Sequence, residues 1–306
     1  MNEVIFKTTN LCKKYKSSVV LDNVNMTINK GDVYGFIGEN GAGKTTLIKI
    51  LTGNSFKTSG YISLLGETEN EDIAKKRKHI GAIIETPAFY PNMSAYDNLN
   101  LHAIQCGITN KARINEVLEL VSLENTKKKA KHFSLGMKQR LGLAFAMLNN
   151  PDFIILDEPM NGLDPVGISE LRELLKKLNK ENNITILISS HLLSELSHIA
   201  TRYGFISKGK LLKEISLKEL NDEFKQYLSI KTDDVELTTQ VIRNKFNCED
   251  YSVCEDNTIK LYNCLDKVGE ITKELALANI LVSEIAVKGD NLESYYMNLI
   301  GVSEDE

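Results

Sequence analysis

The sequence has 306 residues, of which 42% are hydrophobic and 25% are charged, as in ordinary globular proteins. Its net charge of −4 argues against a general nucleic-acid-binding protein, which usually carries an excess of basic residues. The five cysteines form no C-x-x-C pair, which favours a reducing compartment and argues against a structural zinc site. The first residues do not have the pattern of a signal peptide, and no apolar run approaches the roughly 18 residues that a membrane-spanning helix needs.

The apolar pattern predicts an α/β fold for about the first 215 residues. Apolar residues recur at helical spacing between about residues 94 and 149, and a second amphipathic helix is predicted over 166–180. Strand signals lie near residues 4–9, 19–28, 33–37, 60–65 and 80–84, in "FIIL" at 153–156 and in "ITILIS" at 184–189. Nearly continuous apolar strands that alternate with helices indicate a parallel sheet covered on both faces.

The remaining residues, 216–306, predict a separate small α+β domain. Its order of strand, helix, two strands, helix and strand is the split βαβ, or ferredoxin-like, pattern. The predicted elements lie at 227–232, 235–246, 251–255, 258–262, 265–279 and 282–287, with a last helix at 291–299. Cys248, Cys254 and Cys264 lack the spacing of a metal site and are interpreted as small buried residues.

A glycine-rich segment, "GENGAGKTT" at residues 38–46, follows the predicted strand 33–37 and precedes a predicted helix. It fits the pattern G-x-x-x-x-G-K-[ST] through Gly38, Gly43, Lys44 and Thr45. The glycines let backbone N–H groups surround phosphate oxygens, Lys44 can reach the β and γ phosphates, and the Thr45 hydroxyl can bind Mg²⁺. We therefore predict a nucleoside triphosphate site, whose phosphate-binding loop also includes Asn40, Gly41 and Thr46.

The segment "FIILDEP", residues 153–159, places two carboxylates at the end of a buried strand. Ligands of open α/β sheets bind at this carboxyl edge of the strands. We predict that Asp157 holds Mg²⁺, directly or through water, and that Glu158 acts as the general base that polarises the attacking water.

The segment "FSLGMKQRLGLAFAML", residues 133–148, resembles the signature of the ATP-binding-cassette ATPases, which reads L-S-G-G-Q before a helix. This chain keeps the serine, Ser134, and the second glycine, Gly136, and replaces the other three residues. Ser134 and the Gly136 backbone lie where a helix N-terminus can present donors to a phosphate.

The resemblance extends in order through about the first 215 residues and implies a P-loop ATPase with a helical subdomain over about residues 90–149. It implies that Tyr15 stacks on adenine, that Asp164 in "NGLDP" couples two active sites, and that His191 in "ISSH" contacts the γ-phosphate. It also implies an ATP-dependent head-to-tail dimer, in which Ser134 and Gly136 of one chain complete the Lys44 site of the other.

Glu85, in "HIGAIIETPAFYPNMSAYDNL" at residues 79–99, occupies the place of a glutamine that this family uses to reach Mg²⁺ and the attacking water. A carboxylate oxygen can bind Mg²⁺ as an amide oxygen can. We therefore expect Glu85 to bind the metal, to take part in catalysis and to couple the nucleotide state to a membrane permease.

Glu85, its sequence context and the signature "FSLGMKQR" resemble the bacitracin-resistance and lantibiotic-immunity exporters. The resemblance implies an ATP- and Mg²⁺-dependent subunit at the inner face of the cell membrane. It also implies a separately encoded permease as the partner, and we expect no nucleic-acid partner. One alternative is an exporter of another drug, a lipid or a polysaccharide.

Two further alternatives are a soluble cassette ATPase that acts on ribosomes or DNA, and a regulator that binds ATP without turnover. The single cassette, the lack of a long coiled-coil insertion and the acidic net charge argue against the first. The intact pair Asp157 and Glu158 argues against the second.

Overall fold

The computed structural model describes residues 3–68, 70–85, 87–224, 226–254, 256–289 and 292–301. The predicted strand over 251–255 ends, and the predicted helix over 291–299 begins, at residues that lie outside this part of the chain. The first two residues of the first predicted domain and the last five of the second also lie outside it. The chain divides into two units, Met1–Leu217 and Lys218–Glu306.

The strands of the first unit are short runs rich in β-branched and aromatic residues, which favour extended backbone. They are β1 (Val4–Tyr15), β2 (Ser18–Val24), β3 (Thr27–Asn29), β4 (Val33–Ile37), β5 (Ser59–Leu64), β6 (Ile80–Ile83), β7 (Phe153–Asp157), β8 (Thr185–Ser190), β9 (Arg202–Ser207) and β10 (Lys210–Ser216). Every residue of β4, β7 and β8 is buried, so the sheet that they form is covered on both faces.

The larger sheet runs in the order β10-β9-β4-β8-β7-β6. Neighbours from β9 to β6 are parallel, and β10 pairs with β9 as an antiparallel edge. Because the carboxyl ends of parallel strands share one edge, the segments that follow β4, β7 and β8 meet there. These segments carry the glycine-rich loop, the acidic pair and His191. The architecture confirms the predicted α/β fold.

The second sheet of this unit is antiparallel, and β1 lies at its centre, paired with β2, β3 and β5. The single strand predicted over 19–28 is wrong, since the chain forms β2 and β3 as separate strands. Asn23 adopts the left-handed region with φ of 51°, and the Asn25 side chain accepts a hydrogen bond from the Asn10 N–H. These two asparagines turn the chain, so that β2 and β3 pair with different ends of β1.

The helices of the first unit supply the outer layers of the α/β fold. They are α1 (Lys44–Leu51), α2 (Asn70–Lys76), α3 (Ala95–Gln105), α4 (Lys111–Leu120), α5 (Leu135–Met147), α6 (Pro165–Asn182) and α7 (Leu193–Leu196). The stretch predicted to be helical over 94–149 thus contains α3, α4 and α5, which begin after the capping residues Ser94, Asn110 and Ser134.

Residues of the segment that follows Glu85 also pack against helix α5. A Cβ atom on Gly142 of α5 would lie 2.6 Å from Pro87 Cγ, so this proline packs directly on the helix backbone. The ring of Phe89 lies 5.6 Å from that of Phe145, and the ring of His102 on α3 contacts the same ring in a tilted arrangement at 4.8 Å. The loop, α3 and α5 are therefore packed together.

The second unit is built from one antiparallel sheet with helices. Its elements are α8 (Leu217–Glu223), which begins at the last residue of the first unit, β11 (Gln226–Thr232), α9 (Val235–Phe246), β12 (Tyr251–Val253), β13 (Thr258–Leu261), α10 (Val268–Leu277), β14 (Val282–Gly289) and α11 (Leu292–Ile300). The strand order β12-β13-β11-β14, antiparallel throughout, confirms the split βαβ pattern. Leu228, Ile259, Ile271 and Leu275 belong to its core.

The cysteines of this unit correct one interpretation. Cys248 and Cys264 form a disulfide, and only Cys254 of the three is a free, half-buried thiol. Cys248 follows α9 after Asn247, which has φ of 57°, and Cys264 has φ of 62°. Two left-handed turns thus bring together sulfur atoms that are 16 residues apart in the sequence. Among the described residues, no helix is both long enough and apolar enough to cross a membrane.

Candidate active site

The glycine-rich loop connects β4 to α1 through glycines that other residues could not replace. Gly41 has φ of 84° and Gly43 has φ of 110°, in the region that favours glycine. A Cβ on Gly43 would lie 2.8 Å from the Leu21 side chain and 2.9 Å from the Val20 carbonyl. There is therefore no room for a side chain at Gly43. Helix α1 begins at the next residue, Lys44, with its N-terminus facing the loop.

A cavity of about 250 Å³ opens beside this loop. Polar side chains and backbone groups of the loop and of α1 form most of its wall, together with one residue of β2 and one acid after β7. The lining residues are Val20, Glu39, Asn40, Gly41, Gly43, Lys44, Thr45, Thr46 and Glu158. The structure thus brings six of the predicted phosphate-binding residues and the predicted base to one cavity.

Lys44 is almost fully buried, and its ammonium group is held by three oxygens. Its Nζ donates hydrogen bonds to the carbonyls of Gly38, at 2.5 Å, and Glu39, at 3.2 Å. The same nitrogen lies 3.2 Å from Glu158 Oε1 and forms an ion pair with it. Lys44 therefore neutralises the acid while it points toward the place where phosphates are predicted to bind.

Thr45 and Asp157, the predicted metal ligands on α1 and β7, are hydrogen-bonded to each other beside the loop. Thr45 Oγ1 donates a hydrogen bond of 2.7 Å to Asp157 Oδ2, and Ser189 Oγ donates one of 2.5 Å to Asp157 Oδ1. Hydroxyl and carboxylate oxygens suit Mg²⁺, which accepts a small number of protein ligands and completes its shell with water and phosphate. The residues present therefore fit the predicted metal.

Glu158 and His191 face each other across the ends of β7 and β8. His191 Nδ1 lies 2.7 Å from Glu158 Oε2. The Glu158 backbone has φ of 49°, and its N–H donates to the carbonyl and hydroxyl of Ser189. Glu158 Oε1 is buried, and among the described residues it accepts no hydrogen bond. Its close neighbour is Lys44 Nζ, at 3.2 Å in the ion pair described above.

Three residues that sequence reasoning assigned to the nucleotide lie away from this cavity in the same chain. Ser134 Oγ caps α5 by accepting from the Met137 N–H at 3.2 Å, and Gly136 lies in the first turn of that helix. Asp164 caps α6 by accepting from the Gly167 N–H at 2.9 Å. Their predicted roles toward a second copy of the chain stay predictions.

Tyr15 ends β1 and is half exposed, which leaves ring surface for a base to stack on. Its hydroxyl lies 3.2 Å from Ser55 Oγ, and Lys13 Nζ lies 4.4 Å from the centre of its ring. Tyr15 is not among the residues that line the loop cavity. Its role in binding adenine stays a prediction.

Glu85 lies two residues after β6, with φ of 60°. Its Oε1 is 2.8 Å from Lys49 Nζ on α1, and the hydrogen bond and charge of Lys49 lower the pKa of Glu85. The structure therefore joins Glu85 to α1 through Lys49 and shows no bond between Glu85 and the Thr45–Asp157 pair among the described residues. Its assignment as a metal ligand and catalytic residue stays a prediction.

Sequence reasoning missed Ser189, Lys49 and Glu195. Ser189 lies at the end of β8, two residues before His191. The rule that residues at the carboxyl ends of parallel strands meet at one sheet edge could therefore have predicted it. Lys49 follows Thr45 by four residues, a spacing that puts both on one face of a helix. No sequence signal marks Glu195, which lies on a four-residue helix and is nonetheless buried.

Glu195 supports the turn that carries His191. Ser190 Oγ donates to Glu195 Oε2 at 2.8 Å and accepts from the Leu192 N–H at 2.9 Å, so it links residues on both sides of His191. Burial raises the pKa of the Glu195 carboxyl, and the charge of Glu158 raises it further. The ionised form is therefore less favourable in the folded chain than in the unfolded chain.

This environment gives a pH-dependent prediction for Glu195→Gln. Since the folded-state pKa is raised, ionisation destabilises the wild type as pH rises above the unfolded pKa of about 4.3. We expect Glu195→Gln to raise the Tm at pH 7.5 and to change it little at pH 4. Glu195→Ala, which removes the acceptor for Ser190, should lower stability by about 1 kcal/mol. Equal shifts in Tm for Glu195→Gln at both pH values would contradict this account.

The fold and the site define a class of protein. A parallel sheet, a glycine-rich loop opening a helix and a Thr–Asp pair beside a phosphate-sized cavity are the parts of a P-loop nucleoside triphosphatase. The family model described as ABC transporter matches residues 21–161. The chain is 44% identical over 298 residues to the bacitracin transport ATP-binding protein BcrA of Bacillus licheniformis, and the match covers 97% of each chain.

A second relative is the lantibiotic transport ATP-binding protein SrtF of Streptococcus pyogenes. It is 50% identical over 212 residues, which cover 69% of this chain and 90% of SrtF. Among solved structures, the dimeric post-hydrolysis state of the ATP-binding cassette MJ0796 with ADP and Pi matches with a TM-score of 0.62 and 27% identity, over 70% of this chain and 99% of that one. The chain belongs to the ATP-binding subunits of the ABC transporter family, and it is an ATPase that binds ATP.

Proposed function

We propose that this ATPase drives an exporter that protects the cell against a bacitracin-like or lantibiotic peptide. The observation that carries this proposal is the end-to-end similarity to BcrA, which spans 97% of both chains. A match of that length includes the C-terminal split βαβ unit, whereas the match to SrtF covers 69% of this chain. The shared C-terminal unit favours a bacitracin-like cargo over a lantibiotic.

The nucleotide site supports a mechanism in which ATP binding itself releases the base. Lys44 contacts Glu158 in this structure, and its natural partners in the cavity are the β and γ phosphates. When Lys44 turns to the phosphates, Glu158 Oε1 can accept a proton from the attacking water, while His191 orients the carboxylate through Oε2. Bound Mg²⁺, held by Thr45, Asp157 and Glu85, would neutralise charge on the phosphate oxygens.

A head-to-tail dimer supplies the donors that one cavity lacks. Ser134, Gly136 and Asp164 do not line the cavity of their own chain, although each lies at or next to the exposed N-terminus of a helix. A helix N-terminus is a favourable site for a phosphate. The similar cassette MJ0796 is dimeric in its ADP and Pi state, which supports the same assembly for this chain.

A transport system also needs a path through the membrane. Both relatives are named as ATP-binding proteins of transport systems, so we infer a separately encoded permease and a position of this chain at the cytoplasmic face. The segment after Glu85 suits the contact, because Tyr90 and Ala88 are exposed while Phe89 packs on Phe145 of α5. A change at the nucleotide could reach the permease through this segment.

Replacing Lys44 with Ala in the native host tests the cargo. The variant should disable catalysis, and we expect the host to become sensitive to bacitracin or to one lantibiotic of a panel, by the same margin as deletion of the gene. Lys75→Ala is the matched control, since Lys75 is an exposed lysine on α2 outside the site. If the wild-type chain hydrolyses ATP in vitro and the Lys44→Ala host is no more sensitive to any peptide, the peptide cargo is contradicted. Another drug, a lipid or a polysaccharide would then be favoured.

A further inference from the structure

Lys49 links the predicted metal site to Glu85, and the mechanism above does not use it. It lies on α1, four residues after Thr45, so the two side chains share one face of the helix. Thr45 Oγ1 donates a hydrogen bond of 2.7 Å to Asp157 Oδ2, and Lys49 Nζ lies 2.8 Å from Glu85 Oε1. One helix face thus carries a metal ligand and, one turn further, a cation that binds the carboxylate of Glu85.

The backbone on both sides of this ion pair is fixed. Leu47, Ile48, Ile50 and Leu51 are buried, so α1 cannot rotate to move Lys49 away. Glu85 follows strand β6, in which Gly81 and Ile83 are buried, and precedes Pro87, which packs on Gly142. Its φ of 60° is uncommon for a residue that carries a Cβ. The Glu85 side chain therefore starts from a defined position beside α1.

The ion pair itself is short but exposed. Glu85 Oε1 and Lys49 Nζ are 2.8 Å apart, while the side chains are 67% and 39% exposed. Exposed ion pairs contribute little, so a stronger partner can replace either member. A divalent cation beside Thr45 and Asp157 would be such a partner for a carboxylate.

We propose that Lys49 competes with the metal for Glu85: it binds this carboxylate one turn of α1 beyond Thr45 and releases it when the metal and ATP bind. The inference rests on the proposed role of Glu85 as a metal ligand in the ATPase. While no metal is bound, the charge of Lys49 offsets that of the Glu85 carboxylate. Lys49 touches neither nucleotide nor metal in this account.

A double-mutant cycle tests the competition without turnover. Calorimetry would give the Kd for ATP in excess EDTA and in saturating Mg²⁺, in chains that all carry Glu158→Gln. The Kd in EDTA divided by the Kd in Mg²⁺ measures how much Mg²⁺ strengthens ATP binding, so a higher ratio means a larger contribution of the metal. We expect Lys49→Met to raise this ratio by about two- to fivefold more when Glu85 is present than when Glu85→Gln is also made, as for the coupling of an exposed ion pair.

Two controls separate this role from a structural one. Lys49→Arg should restore the wild-type ratio, because it retains the cation. Lys75→Met breaks a similar exposed ion pair, in which Lys75 Nζ is 2.7 Å from Asp72 Oδ1, and should leave the ratio unchanged. Equal shifts by Lys49→Met with and without Glu85→Gln would overturn the inference. If ATP still binds with Mg²⁺ in that case, the proposed function stands; if Mg²⁺ contributes nothing in any chain, the proposed metal site fails instead.

Discussion

Glu158→Gln should reduce ATP turnover about 10²- to 10⁴-fold while ATP binding remains, since a positioned general base contributes a factor of that size. The amide keeps the shape of the side chain and can still contact His191, which lies 2.7 Å from Oε2 in the wild type. It has no carboxylate oxygen at the Oε1 position, which lies 3.2 Å from Lys44 Nζ in the wild type and is the oxygen proposed to accept the proton. Phosphate release under saturating ATP and Mg²⁺ measures the loss.

The same variant should accumulate as an ATP-bound dimer. ATP joins the two chains in the proposed assembly, and hydrolysis is the step that separates them, so blocking hydrolysis extends the life of the dimer. Size-exclusion chromatography with light scattering would show the doubled mass with ATP and Mg²⁺ and the monomer mass without nucleotide. Glu181→Gln, at an exposed acid near the end of α6, is the matched control and should turn over normally. A purely monomeric Glu158→Gln protein under these conditions would contradict the dimer.

Lys44→Met should abolish turnover and weaken ATP binding by about 10²-fold or more. The estimate comes from the loss of two hydrogen bonds to charged phosphate oxygens, each worth about 1.5–3 kcal/mol. Methionine retains the length of the side chain and removes the ammonium group that Gly38 and Glu39 hold over the cavity. Calorimetric titration with ATP and Mg²⁺ measures the change in affinity.

The fold should survive Lys44→Met, because the helix propensities of lysine and methionine are similar. An unchanged circular dichroism spectrum would show that the loss belongs to the site and not to unfolding. Lys75→Met serves as the surface control, since Lys75 is an exposed lysine that pairs with Asp72 across one turn of α2. Wild-type affinity in Lys44→Met would mean that the cavity beside the loop is not where the phosphates bind.

Contiguous motifs explain why the core of the site was predictable from the sequence. Lys44 and Thr45 are fixed relative to the loop by neighbouring glycines, and Asp157 and Glu158 follow a strand whose burial is visible in its composition. Parallel pairing then brings both segments to one edge of the sheet, where Thr45 bonds Asp157. Here local sequence and the rule for sheet edges together suffice.

Pairs that depend on turns were not predictable in the same way. The Lys49–Glu85 ion pair joins residues 36 positions apart, and it depends on the left-handed backbone at Glu85. Glycine would indicate such a backbone in the sequence, but glutamate does not. The Cys248–Cys264 disulfide likewise depends on left-handed turns at Asn247 and Cys264 itself. A composition argument about compartments could not anticipate that these two thiols meet.

The contact between Pro87 and Gly142 determines how movement passes from the nucleotide edge to α5. Flexible side chains absorb small displacements by changing rotamer, but glycine has no side chain and the proline ring has no comparable freedom. We therefore expect a shift of the loop to displace the helix backbone. Since Ser134 caps that helix, we expect its position to depend on the position of the loop.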